Sequence, residues 1–307
     1  MEKKESTLVS ILRIGQPFLL LAALLTYTLG LGIAHYLAIQ INWTAAILGS
    51  SLGIFILLAR NYLSAFFTYP EAIPSADLSA EIKGEDPSLV EIKEIPQNLF
   101  LQIGLVSLAA GAAVTFVLMV QKIAGVQVLL ALGLAVLLIL AATVPPLRLE
   151  RRGYGELIEA LLICNLIPAV AFLLQANDVH AFLGILTFPL TFIYLSMRVA
   201  LSLEYFGFAT KFKTGTMLVQ MGWQRAISMH NLGILLAFVL LGGFILMRLP
   251  WMIAWPILLA FPLAVFQIFL VQRIADGATP RWWLVRLSAV STFAVMTYLT
   301  ILTLWVH

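Results

Sequence analysis

Charge is scarce in this chain: Asp, Glu, Lys and Arg together make up 11% of it, where a soluble domain carries about 25%. The shortfall excludes an ordinary water-soluble fold, because the 62% of hydrophobic residues exceeds what the core of a domain this size can hide. A single cysteine, Cys164, excludes an internal disulfide and leaves the redox compartment open. In its apolar run it reads as a small buried hydrophobe before it reads as a nucleophile. The four histidines, His35, His180, His230 and His307, are scattered and offer no metal-ligand spacing. No cleavage-site pattern follows the first apolar stretch, which is too long for a signal-peptide core and is expected to remain as a helix. Low-complexity tracts, a fusion boundary and a short-period repeat are also missing. One transmembrane domain over 1–307 is therefore expected, with no nucleic-acid partner.

What the chain has in abundance is long apolar runs, and its mean hydropathy is +1.01. Crossing a bilayer takes about 20 apolar residues. Nine such runs are legible: Pro17–Ala38, Thr44–Phe67, Leu99–Val120, Val126–Val144, Leu157–Leu174, Ala181–Leu203, Met229–Met247, Trp251–Val271 and Trp283–Trp305. The expected fold class is all-α, a polytopic bundle of about nine transmembrane helices. Every run is apolar around its whole circumference, so helical periodicity does little to mark the buried faces. The Gly49-x-x-x-Gly53 spacing points to close helix packing.

The few charges are placed with a strong bias. All the Lys and Arg residues except Lys122, Arg198 and Arg248 fall on one side of the nine-helix arrangement. By the positive-inside rule that side is cytoplasmic, which puts the N-terminus inside and, with an odd number of spans, His307 outside. The long connections lie on the same side: an acidic loop over 70–97 and basic loops over 145–156 and 208–228. Polar loops gathered on one face suggest a cap over a cavity open to the cytoplasm.

Three segments, taken with the helix count, resemble the UbiA superfamily of membrane prenyltransferases. Arg13-Ile-Gly-Gln-Pro17, with Leu29-Gly-Leu-Gly-Ile-Ala34 after it, is similar to the family's opening helix. The run Val144-Pro-Pro-Leu-Arg-Leu-Glu-Arg-Arg-Gly-Tyr-Gly-Glu-Leu157 resembles its Pro-Leu-(basic)-x-x-Gly-x-Gly-Glu-Leu segment between the fourth and fifth helices. Thr216-Met-Leu-Val-Gln-Met-Gly222 resembles a Thr-Leu-x-x-x-x-Gly element after the sixth. The resemblance implies a nine-helix bundle with a cytoplasm-facing site. There an allylic diphosphate is ionised with help from Mg²⁺ held by two aspartate clusters, and a hydrophobic acceptor captures the carbocation.

Against that pattern the chain departs systematically. Aligning on Asn61, in Arg60-Asn61-Tyr62-Leu-Ser-Ala65-Phe-Phe-Thr-Tyr69, puts Tyr62, Ala65 and Tyr69 where the resemblance implies three aspartates. Counting back from Thr216 puts Tyr205 and Ala209 where it implies the second pair. Neither a neutral tyrosine hydroxyl nor an alanine methyl replaces a carboxylate ligand of Mg²⁺. Mg²⁺ is thus expected only if replacement ligands exist, and Asp77, Glu81 and Glu85, spaced at four, are the candidates for that.

Other polar residues are candidates for the site itself. Glu156 and Glu159, three apart on the fifth helix, and Glu204 are candidate polar lining. Arg198 lies about two turns inside the sixth run, where a cation needs a partner; Glu159 or a lipid phosphate would serve, and snorkelling to the interface is the alternative. Arg148, Arg151, Arg152 and Lys211 are candidate phosphate ligands, although a basic loop is also what topology requires. Tyr62, Tyr69 and Tyr205, with Phe66, would wall an isoprenoid site or plug it. Three functions stay open: a lipid- or isoprenoid-binding relative of the prenyltransferases, diverged or non-catalytic; an active prenyltransferase with replacement ligands; and a lipid transporter or flippase. A scaffold role beside a membrane-protein partner is a further option.

Overall fold

The computed structural model describes residues 7–68, 95–211, 215–247 and 249–307. Tyr69, Asp77, Glu81, Glu85 and most of the acidic 70–97 loop lie outside the described residues.

Among the described residues, nine helices are long and apolar enough to cross a membrane. They are α1 (Pro17–Tyr36), α2 (Trp43–Thr68), α3 (Gln97–Val120), α4 (Val126–Thr143), α5 (Gly155–Ala176), α6 (Ala181–Leu203), α7 (Trp223–Leu246), α8 (Trp251–Ala275) and α9 (Trp282–Val306). The chain is an integral, multi-pass membrane protein. Closed helices are the form such a chain must take, because lipid offers no partner to a free backbone amide or carbonyl. Several ends carry recognisable caps. Pro17 opens α1 where its missing N–H costs nothing. The Asn42 side chain accepts from the Ala45 N–H at 3.1 Å as α2 begins. His180 does the same for Phe182 at the head of α6, at 3.2 Å.

The span boundaries read from the apolar runs agree with these to within a few residues, with one larger difference. The seventh helix begins at Trp223, six residues before Met229, so the expected 208–228 loop is shorter than the polarity suggested. Gln224 and Arg225 are exposed and ride on the first turn of the helix, because a helix can run past the apolar layer into the interface. The rest of that connection contains two short helices, Phe206–Lys211 and Met217–Met221. Two spans are not regular. Helix α5 carries a π-helical turn at Leu162–Leu166, and α8 is interrupted between Leu258 and Phe261, just ahead of Pro262.

Helices α1, α5 and α6 are the most enclosed, whereas α3 and α7 present most of their surface outward. Their exposed Leu105, Val106, Phe116, Leu232, Leu235 and Val239 are what a lipid-facing helix shows. Close approach of α1 to α5 depends on Gly30: a Cβ there would collide with the Pro168 carbonyl oxygen. Gly49 likewise leaves room for the Tyr27 hydroxyl and for Leu174.

The connections sort onto two ends. At one end the Asn61 amide donates to Gly15 O at 3.1 Å, Arg148 donates to Phe67 O, and Gln220 donates to Arg151 O at 3.4 Å. At the other, the Asn42 N–H donates to Gln175 Oε1 at 2.8 Å, and His35 stacks on Trp305 with ring centroids 4.7 Å apart. The basic segments therefore share an end of the bundle.

Candidate functional site

The polar centre of the molecule is built on Glu159, which is 1% exposed on the second turn of α5. A carboxylate in that position needs compensation from several sides, and it has it. Arg60 Nη1, from α2, donates to Glu159 Oε2 at 2.6 Å. The Tyr194 hydroxyl, from α6, donates to Glu159 Oε1 at 2.6 Å. Arg198, one turn further along α6, brings its Nε to 2.9 Å from the same oxygen. That last contact is an ion pair without the alignment of a hydrogen bond.

Arg60 has a second counterion. Its Nη2 lies 2.7 Å from Glu150 Oε1, in the 3₁₀ turn Leu149–Arg152 that leads into α5. Ser64, one turn after Arg60 on the same face of α2, donates to the other Glu150 oxygen. Arg60 Nη1 also reaches the Asn61 side-chain oxygen at 3.3 Å. Its Nε is buried without a hydrogen-bond partner among the described residues. Three helices and a loop are thereby joined through two arginines and two glutamates.

The other residues singled out in the sequence are placed as follows. Asn61, Tyr62 and Ala65 are all buried. The Tyr62 hydroxyl donates to Ile11 O at 2.9 Å, in the short helix Thr7–Ile14, and Tyr62 and Ala65 pack with Ile95 and Phe100. Two of the positions where the resemblance implies aspartates are thus occupied by packed side chains. Tyr205 and Ala209 lie in the turn and short helix after α6, where the Ala209 N–H donates to Tyr205 O at 2.8 Å. Glu156 accepts the Met217 N–H, at 3.2 and 3.3 Å to its two oxygens, and so ties α5 to the α6–α7 connection. Glu204 Oε2 lies 3.4 Å from Arg286 Nε, at the start of α9. Arg151 and Arg152 are exposed on the 3₁₀ turn, and Lys211 is exposed at the end of its helix.

Arg60, Glu150 and Tyr194 were not singled out as site residues in the sequence. Arg60 was legible as a basic flank of the second run, and Glu150 sits inside a segment dominated by arginines. The available signal was the depth of Arg60, eight residues before the end of its helix at Thr68, where an unpaired cation is costly.

Comparison of folds places this arrangement. A UbiA homologue from Archaeoglobus fulgidus, in a structure bound to DMAPP and Mg²⁺, superposes with a TM-score of 0.66 over 95% of this chain and 99% of that one. The fold is that of the UbiA homologues. The same homologue bound to GPP and Mg²⁺ gives 0.65 over 95% and 99%, and a third structure of it gives 0.67 over 97% and 98%. Sequence identity is only 16–17%. No family model and no curated protein sequence matches the chain. The likeness is one of fold, and it extends over almost the whole of both chains.

Whether this chain suits Mg²⁺ follows from the donor set. Magnesium asks for hard oxygen ligands with charge to spare. Among the described residues no group of three Asp, Glu, His or Cys side chains is placed to hold a metal. The carboxylates present are already committed: Glu159 to Arg60 and Arg198, and Glu150 to Arg60 and Ser64. A cation brought among two guanidinium groups would be repelled by them. The described residues do not fit the ion.

Proposed function

We propose that this chain is a diverged member of the UbiA superfamily, forming one transmembrane domain that binds an isoprenoid or another lipid and does not ionise a prenyl diphosphate through Mg²⁺. The observation that carries this reading is the double pairing of Arg60 with Glu150 and Glu159. An arginine directly precedes the Asn61 segment, and it consumes the buried carboxylates on which a metal would depend. The fold supports the lipid part of the reading, since the A. fulgidus homologue was solved with DMAPP and with GPP.

The clustering of the basic connections at one end supports a cytoplasmic N-terminus and an external His307. The Arg60–Glu159 network then lies toward the cytoplasmic half of the bundle.

The test is direct. Purified full-length protein is incubated with geranyl or geranylgeranyl diphosphate and Mg²⁺, and released diphosphate is measured beside a mass-spectrometric inventory of co-purified lipids. No release above that of heat-denatured protein, with one lipid class enriched over the bulk membrane, is expected. Diphosphate release that EDTA abolishes would overturn the proposal.

A further inference from the structure

The charges at the site bear on which isoprenoid it accepts. In the network of mutual contacts Arg60 and Arg198 are set against Glu150 and Glu159, two against two. Glu159 lies between Arg60 and Arg198, and Glu150 holds the far side of Arg60. Glu156 is one turn before Glu159 on α5, and Arg148 is anchored on the Phe67 carbonyl. A ligand reaching Arg198 meets a four-residue network whose formal charges cancel. A prenyl diphosphate would bring several negative charges out of water with no net positive charge to receive them, and burying unpaired charge is costly.

Arg198 differs from Arg60 in a way that matters. Its side chain is 28% exposed although it lies within the α6 span, whereas that of Arg60 is 9% exposed. The Arg198 Nε is buried against Glu159, so the exposed part of the side chain lies elsewhere, and no hydrogen bond from Nη1 or Nη2 is seen among the described residues. They belong to the face of α6 that carries Thr191 and Tyr194, which is the inner one. The result is a guanidinium whose charge is compensated by Glu159 and whose remaining N–H groups find no acceptor among the described residues. Such a group suits an uncharged oxygen, because a hydroxyl or carbonyl accepts its hydrogen bonds without adding charge.

We propose that the site selects a neutral isoprenoid, one ending in a hydroxyl or carbonyl oxygen that accepts from Arg198 Nη1 and Nη2, over the corresponding diphosphate. This rests on the lipid-binding reading above and sharpens it to a ligand class.

The experiment is saturation binding of tritiated geranylgeraniol and of tritiated geranylgeranyl diphosphate to the full chain in nanodiscs, each with and without Mg²⁺. Geranylgeraniol is expected to bind at least about tenfold more tightly, and Mg²⁺ to leave the ratio unchanged. Glu159→Gln removes one negative charge from between the two arginines. It is expected to raise diphosphate affinity about tenfold while moving that of the alcohol less than about threefold. Arg198→Lys keeps the charge but loses the planar donor pair, and is expected to weaken geranylgeraniol about fivefold. Should either variant fold poorly, the wild-type ratio alone decides. Diphosphate binding as tight as that of the alcohol in wild type would overturn the inference and leave lipid binding standing. Saturable binding of neither probe would overturn both.

Discussion

Arg60 Nη1 and Glu159 Oε2 stand 2.6 Å apart, although 99 positions of sequence separate the two residues. The pair fastens α2 to α5 within the polar centre, and both partners are nearly inaccessible. A buried pair of this kind is not strongly stabilising against an apolar replacement, but losing one partner strands the other.

Arg60→Met should therefore be costly, since it removes the counterion of Glu150 and leaves Glu159 with Arg198 alone. A loss of about 3–5 kcal/mol is expected. Restoring charge balance with Glu159→Gln in the same chain should recover a good part of that loss. Unfolding curves of the two single variants and the double variant, in one detergent, give the coupling; strict additivity would contradict the network.

Tyr194→Phe removes one of the donors to Glu159 without changing shape. A destabilisation of about 1.5–3 kcal/mol follows for a hydrogen bond to a charged group. The same substitution at Tyr298, exposed on the outer face of α9, is the control and should be within about 0.5 kcal/mol of wild type.

The Tyr27 hydroxyl is buried with no hydrogen-bond partner among the described residues, and it occupies the space a side chain at Gly49 would need. Tyr27→Phe should thus be neutral or stabilising, because an unsatisfied polar group is removed. Gly49→Ala should destabilise, and Tyr27→Phe should partly rescue it; Leu174, which also crowds that position, keeps the rescue incomplete. Thermal melts of the three variants decide the matter.

Chelation should leave the protein unmoved. A metal present at a hundred times its Kd would contribute about 2.7 kcal/mol of stability, so melting curves with EDTA and with added Mg²⁺ should separate if the ion binds. They are expected to coincide.

Topology can be read with one thiol at a time, starting from Cys164→Ala, since that cysteine is buried. A cysteine at Arg152 should react with an impermeant maleimide only after the cells are opened, and one at Asp178 should react in intact cells. The reverse pattern would invert the proposed orientation.

The sequence by itself determined the solvent, the number of spans and most of their limits. Each follows from local composition: a run of apolar residues long enough to cross a bilayer is a property of neighbours in the chain. It also supplied, through the resemblance alone, the expectation that Tyr62, Ala65, Tyr205 and Ala209 stand at positions where that resemblance implies aspartates. The start of α7 was the exception, because Gln224 and Arg225 mask helix with polarity. What only the tertiary structure decided is which charges meet. Arg60 looked like one more flanking cation and Glu150 like a stray acid among arginines; their pairing depends on how α2 packs against the loop before α5. Helices apolar all round carry no stripe to announce their inner face, and an ion pair between distant segments leaves no local trace. That is why only the fold could show that Arg60 engages Glu150 and Glu159 together.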